Sequence, residues 1–326
     1  MASWTVRQVG RLLKLAETDV LSGDELRRAR AVAPLAPGRG DWLLAAERLC
    51  AFASALLLTA ALVFFFAYNW AELHRFAKLG IGLGALAACV VAALFSRPQS
   101  TLWRAALFAA AIATGALLAL IGQIYQTGAD VWELFFAWMM LMLPFVVLAR
   151  FTGSWMLWLL VANAALVRGM AVSAWSGFFG SLFEPQSLFL ISALNLAVLM
   201  GFEAGSAHLL LYPRRHLQRL AAAGMLAPLV LGAILGCWDS DMLPVTLVFL
   251  PVAAATAWVY YHWRRDLPIL AITAAALIAV LTSALARIMP GGAEFITANL
   301  MALFVIGSSA AAAAWLARLY RQDHVR

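Results

Sequence analysis

Long apolar runs, broken at near-regular intervals by short polar segments, dominate the chain from Leu49 to Leu316. Each run is roughly 17–22 residues, the length a helix rising ~1.5 Å per residue needs to cross ~30 Å of hydrocarbon. Ten runs can be delimited: 49–70, 79–95, 105–124, 132–149, 154–170, 186–202, 220–237, 243–263, 267–286 and 295–316. Asn163 and Arg168 interrupt the fifth, which is the least continuous. In a bilayer every backbone polar group must be satisfied within the segment, and a helix does this by itself. The pattern therefore predicts an all-α fold, a polytopic transmembrane helix bundle of about ten spans.

Residues 1–48 are a different material. Val6, Val9, Leu13 and Ala16 recur at helical spacing, with Arg7, Arg11 and Lys14 on the other side. Ser22 followed by Glu25 is a capping-box pattern, opening a second short helix with Leu26, Ala29 and Ala33 inward and Arg27, Arg28 and Arg30 outward. Pro34, Pro37, Gly38 and Gly40 then make a linker. This segment is too charged for a signal peptide and too small to fold alone. It is expected to pack on the membrane part, lie at the lipid surface, or bind a cytoplasmic protein partner through residues 1–36. The expected organisation is a cytoplasmic helical segment and linker (1–48), a bundle (49–316) and a tail (317–326).

Composition agrees. Hydrophobic residues are 64% of the chain and charged residues 12%, against about 45–50% and about 25% in soluble domains. An ordinary soluble enzyme and a disordered chain are excluded. The net charge of +7 is a matter of topology, and no nucleic-acid partner is expected. With the N-terminus in the cytoplasm, 19 of the 23 Lys and Arg fall inside, and Arg75, Lys78, Arg168 and Arg287 fall outside. That asymmetry predicts an even number of spans with both termini cytoplasmic. Trp and Tyr gather at the span ends, among them Tyr68, Trp132, Trp238, Tyr260, Trp263 and Trp315, as an interfacial aromatic belt does.

The chemistry-bearing residues are few. Cys50, Cys89 and Cys237 lie within apolar runs and read as small core residues. The five His are scattered, with no metal-ligand spacing. No catalytic motif stands out, and neither cofactor nor metal is expected. Asn163, Asn195 and Asn299 lie inside spans and read as hydrogen-bonding glue between helices. Arg168, Glu203 and Arg287 lie at span ends, where snorkelling to the interface accounts for them. Gly80 with Gly84 and Gly232 with Gly236 are small-residue packing patterns, serving close approach within one chain or between copies in a homo-oligomer. Asp239-Ser240-Asp241 reads as a solvated loop. No carboxylate falls at a midplane, which argues against a proton-coupled pump. No phosphate-binding loop occurs, which argues against ATP-driven transport by this chain alone.

Two polar stretches remain. One reads Tyr68-Asn69-Trp70, followed by Leu73 and Lys78; the other runs from Gly122 through Gln123, Tyr125 and Gln126 to Asp130, with Trp132, Leu134 and Trp138 after it. On the threading above, both face outside. Asn69, Trp70, Arg75, Lys78, Gln123, Tyr125, Gln126, Asp130 and Glu133 are therefore the candidate substrate-binding residues, suited to a polar or anionic group. The same residues also read as a capped helix end with hydrogen bonds between helices.

Together with the charged helical N-terminus, these stretches resemble bacterial membrane proteins of domain-of-unknown-function family 2157. The resemblance implies an integral membrane protein without an assigned activity, and it lends no catalytic residue. The outline of ten spans also resembles the drug/metabolite exporters, whose two halves are inverted repeats. The expected function is a transporter- or flippase-like protein of the bacterial inner membrane, handling a small or amphipathic solute. The alternatives are a membrane scaffold or sensor whose N-terminal helices bind a partner, and an intramembrane enzyme acting on a lipid-linked substrate.

Overall fold

The computed structural model describes residue 25 and residues 39–69, 71–125, 128, 130–173, 184–211, 215–289 and 294–325. The expected N-terminal helices, Trp70 and Gln126 lie outside the described residues. The described chain is helical: α1 (Arg39–Tyr68), α2 (Arg75–Phe95), α3 (Thr101–Tyr125), α4 (Val131–Ala149), α5 (Thr152–Ser173), α6 (Pro185–Leu209), α7 (His216–Gly236), α8 (Leu243–His262), α9 (Leu267–Ile288) and α10 (Glu294–Val325).

Local chemistry sets the boundaries. The His74 imidazole accepts from Phe76 N–H at 3.4 Å and caps α2. Arg150, left-handed at φ 46°, ends α4. Asp239 accepts from Asp241 N–H at 3.0 Å and shapes the 3-10 turn Ser240–Met242, so the acidic loop folds on itself. Asp266 caps α9, whose first turn holds Pro268, a position where a missing N–H costs nothing. α1 starts at Arg39, earlier than Leu49, because the linker's last residues continue the helix.

Nine of the ten helices are long and apolar enough to cross a membrane, and the chain is a multi-pass membrane protein. The exception is α5, the fifth run. Its placement is nonetheless fixed. Leu211 N–H, just past α6, donates to Arg150 O, just before α5, at 3.0 Å. Midway along both helices, Asn163 meets Asn195. So α5 runs antiparallel to α6 through the same depth.

The largest core cluster joins α3 to α10 around Met142, Leu159, Leu217, Met225 and Ile269. A second joins α6, α7, α8 and α9 around Leu188, Leu229, Val245 and Phe249. α7 belongs to both and is the hub of the C-terminal half. In the N-terminal half α3 takes that place, and its Gly115 lets the Trp138 indole lie on its backbone and donate to Ala111 O at 2.8 Å. The apolar stretches of α1 and α10 are almost wholly exposed, the surface that lipid-facing helices present.

Two sequence readings need correction, on the cysteines and on Glu203, and a third, on the glycine pairs, is narrowed. None of the cysteines is in the core: Cys50 is exposed and Cys89 and Cys237 are half-buried, because apolar runs in a bilayer have lipid-facing sides too. A Cβ added at Gly80 or Gly84 would meet nothing within 4 Å, so this pair serves no close approach within the described chain, whereas one at Gly82 would stand 3.1 Å from Leu117 and Leu120 of α3. Gly232 and Gly236 do pack, against Val245 and Leu188 and against Thr246 and Met242. Glu203 does not snorkel, because arginines from two other segments reach it.

Candidate functional site

The bundle carries two polar regions, one at each end, with a third at mid-depth between α5, α6 and α7.

The first is the end where α1 and α3 exit. As membrane-length helices separated by one intervening span, α1 and α3 cross in the same direction; Phe52 and Phe108 meet at 5.9 Å between ring centroids, each about four to five turns before its helix ends. Asn69 and Tyr125 therefore leave the bundle at the same end. Asn69 is half-buried, and its amide donates to Phe65 O at 2.9 Å in its own helix. Arg75 stacks over Phe76 at 5.0 Å. Lys78 is buried, one turn from Gly82, and so level with the last turn of α3. Gln123, Tyr125, Asp130 and Glu133 are exposed at the facing ends of α3 and α4. A Cβ at Gly169 of α5 would stand 3.8 Å from Trp132, which brings the C-terminal part of α5, and Arg168 with it, to this end as well.

The second region was not legible as a unit. At the opposite end, Glu203 at the C-terminal part of α6 holds Arg215 through Oε1 and Arg264 through Oε2, the latter at 2.8 Å. The Tyr260 hydroxyl donates to the same carboxylate at 2.9 Å. Asp266, 3% exposed, forms an ion pair with Arg215 Nε at 3.2 Å and accepts from Arg219 Nε at 3.1 Å and from Ile269 N–H at 3.4 Å. Arg215 also donates to Arg264 O at 3.4 Å. A buried carboxylate is tolerable only when paired and hydrogen-bonded, and Asp266 is both. The network ties α6, α7, α8 and α9 together at one end.

At mid-depth, Asn195 Nδ2 donates to Asn163 Oδ1 at 2.7 Å, and Asn163 Nδ2 faces Asn195 Oδ1 at 3.4 Å. Each amide also donates to its own helix, to Leu159 O and Ile191 O, both at 2.8 Å. The helix-glue reading of these two residues holds. Gly224 of α7 closes on the pair; a Cβ there would stand 2.3 Å from Asn195 Oδ1. Pro228, one turn on, has no N–H, so Gly224 O loses its intrahelical donor. A cavity of about 250 Å³ opens here, bordered by Leu160, Asn163, Asn195, Gly224 and Pro228.

Between the Asn pair and the ionic network lies a further polar level. Trp155 stacks edge-on to Phe202 at 5.0 Å, and Gln218 Nε2 donates to Phe202 O at 3.4 Å. Trp155 Nε1, Gln218 Oε1 and Ser154 Oγ are buried, and among the described residues they have no hydrogen-bond partner. Ser192 Oγ, one turn from Asn195 on the other side, is in the same state. Buried Leu159 of α5 and Ala221 of α7 fall between these levels. The α5–α6–α7 interface is thus a seam of polar groups running through the membrane, interrupted by apolar side chains.

Sequence reasoning singled out Asn163, Asn195 and Glu203 but not their pairing, took Arg215, Arg219 and Arg264 only as part of the inner-side charge and Tyr260 only as part of the aromatic belt, and missed Asp266, Gln218, Trp155 and Ser154. One signal was present: on the threading above, Glu203 and Asp266 are the carboxylates of the otherwise basic loops between spans on the inner side.

No match is found among curated proteins or solved structures. Residues 16–155, the N-terminal half of the chain, match the model of a family described as "Predicted membrane protein (DUF2157)", so this half carries the sequence of a membrane-protein family and includes both polar stretches at the α1 and α3 exits.

Proposed function

We propose that the chain is a transporter- or flippase-like protein of the bacterial inner membrane, with both termini cytoplasmic, passing a small uncharged polar or amphipathic solute along the α5–α6–α7 seam. The observation that carries this reading is the run of buried polar groups through that interface: Ser192, the Asn163–Asn195 pair with its cavity, then Trp155, Gln218 and the Glu203–Asp266 network. A buried polar group left without a partner costs about 1–3 kcal/mol. A chain that served only as an anchor would gain by replacing these residues with leucine. Amides at mid-depth, in place of carboxylates, suit a solute that carries no net charge. Pro228 leaves the Gly224 carbonyl without its intrahelical donor beside the cavity, and freed backbone carbonyls are among the groups from which many transporters build midplane sites.

In this proposal Asn69, Trp70, Arg75, Lys78, Gln123, Tyr125, Gln126, Asp130 and Glu133 form the outer entrance, and the Glu203–Asp266 network closes the inner end. The test is reconstitution into liposomes, with uptake of water, urea and glycerol followed by light scattering and lipid exchange between leaflets by a quenched fluorescent lipid. Faster permeation than in protein-free vesicles, lost in Asn163→Leu/Asn195→Leu, is expected. Wild-type vesicles no faster than empty ones in every arm would end the proposal.

A further inference from the structure

α10 lies antiparallel beside α9, but the two do not close. Between them is a groove of about 570 Å³, running from Thr282 and Val305 at one end to Ala271 and Leu316 at the other. Its middle is lined by small side chains, Ala275 and Ala312 among them. The volume lies in the ~300–1,000 Å³ range of ligand sites. From Ala271 to Thr282 the groove extends about 16 Å at ~1.5 Å per residue, half of the ~30 Å hydrocarbon thickness. It is therefore as long as one leaflet is deep.

The end at Ala271 and Leu316 has a distinct chemistry. Tyr261 and Trp315 stack there, 6.1 Å between centroids and 17° between planes. Arg265 lies over the Tyr261 ring at 5.7 Å. Arg264 precedes it in the α8–α9 turn, and Arg318 and Arg321 follow Leu316 in the last turns of α10. The two carboxylates of the network at this end, Glu203 and Asp266, are engaged by Arg215, Arg219 and Arg264. Positive charge thus predominates where the groove meets the membrane surface.

We infer that the α9–α10 groove binds an anionic phospholipid, one acyl chain lying along Ala275 and Ala312 and the phosphate meeting Arg265 and Arg318. An acyl chain matches a narrow apolar groove one leaflet long. Stacked aromatic rings belong at headgroup depth. Arginines at the mouth select an anionic headgroup over a zwitterionic one. The inference stands independently of any transport activity.

The test uses the full chain in nanodiscs of phosphatidylcholine and phosphatidylglycerol with the same acyl chains. Lipid kept after mild detergent extraction is counted by native mass spectrometry. Phosphatidylglycerol should be retained over phosphatidylcholine by about tenfold, and the preference should shrink at high salt. Arg265→Gln/Arg318→Gln should remove the preference, while Arg265→Lys/Arg318→Lys keeps most of it. Ala275→Leu/Ala312→Leu, which fills the groove, should lose the retained lipid of either kind. Equal retention of the two lipids by the wild type would overturn the inference. So would a wild-type dimer that Ala275→Leu/Ala312→Leu converts to monomer, since the groove would then hold a second copy of the chain.

Discussion

Asn195 donates its amide to the Asn163 carboxamide oxygen at 2.7 Å across the α5–α6 interface, at the middle of both helices. In hydrocarbon neither side chain has water as an alternative, so the pair fixes the register of the two helices at mid-depth. Amide pairs of this kind average about 0.6 kcal/mol in membrane proteins and reach about 1.7 kcal/mol. A double-mutant cycle of Asn163→Leu and Asn195→Leu, read by unfolding in mixed micelles, should return a coupling within that range. A coupling near zero would mean that each amide is satisfied by its own helix carbonyl alone.

Gly224 faces that pair with no room for a methyl group. Gly224→Ala should separate Asn195 from Asn163 and destabilise the protein by about 1–3 kcal/mol, as overpacking does. Gly80→Ala, at a position with nothing within 4 Å, should be close to neutral. Thermal unfolding of the two variants side by side checks this. Equal losses would show that the packing argument is wrong.

Within the ionic network, burial separates the members. The Asp266 side chain is 1% exposed and serves two arginines and a helix cap, whereas the Arg264 side chain is 55% exposed. Asp266→Ala should therefore cost several-fold more than Arg264→Gln, which should stay within about 1 kcal/mol. Chemical denaturation in detergent measures both. The reverse order would remove Asp266 from the centre of the network.

Reporter fusions test the threading. Fusions after Arg215 and Arg265 should report the cytoplasm, and fusions after Asp130 and Asp241 the other side, following the 19-to-4 division of basic residues. The antiparallel pairing of α5 with α6 requires fusions after Arg150 and Leu211 to agree with each other. Disagreement would leave α5 outside the membrane.

The proposed outer entrance makes a separate demand. Gln123→Ala and Asp130→Ala should lower permeation in liposomes with little effect on expression, because both side chains are exposed and support no core contact. Unchanged permeation, in vesicles where Asn163→Leu/Asn195→Leu is inactive, would leave these residues as helix-end chemistry.

The sequence by itself determined that the chain lives in a membrane, that it is all-helical, and where each helix runs. Hydropathy is a local property, and a run as long as the bilayer is thick has few other places to go. For α2 to α9 the expected spans start within four residues of the helices and end within three, except that α6 continues seven residues beyond 202 to Leu209. Asn163 and Asn195 could also be read as glue, since an amide in hydrocarbon must find a partner. Which helices pair was decided by the tertiary structure. In a soluble protein the polar face of a helix marks its outside. Here lipid and protein neighbours are equally apolar, so the pattern along α10 does not tell that it is peripheral, nor the pattern along α7 that it is central. For the same reason Glu203 looked like a snorkelling end residue. Its partners Arg215, Tyr260 and Arg264 come from the α6–α7 connection and from α8 and its turn, and only packing brings them to one carboxylate. Trp155 and Gln218, far apart in the chain, share Phe202 for that reason too. The seam that supports the functional proposal exists only once α5, α6 and α7 are packed together.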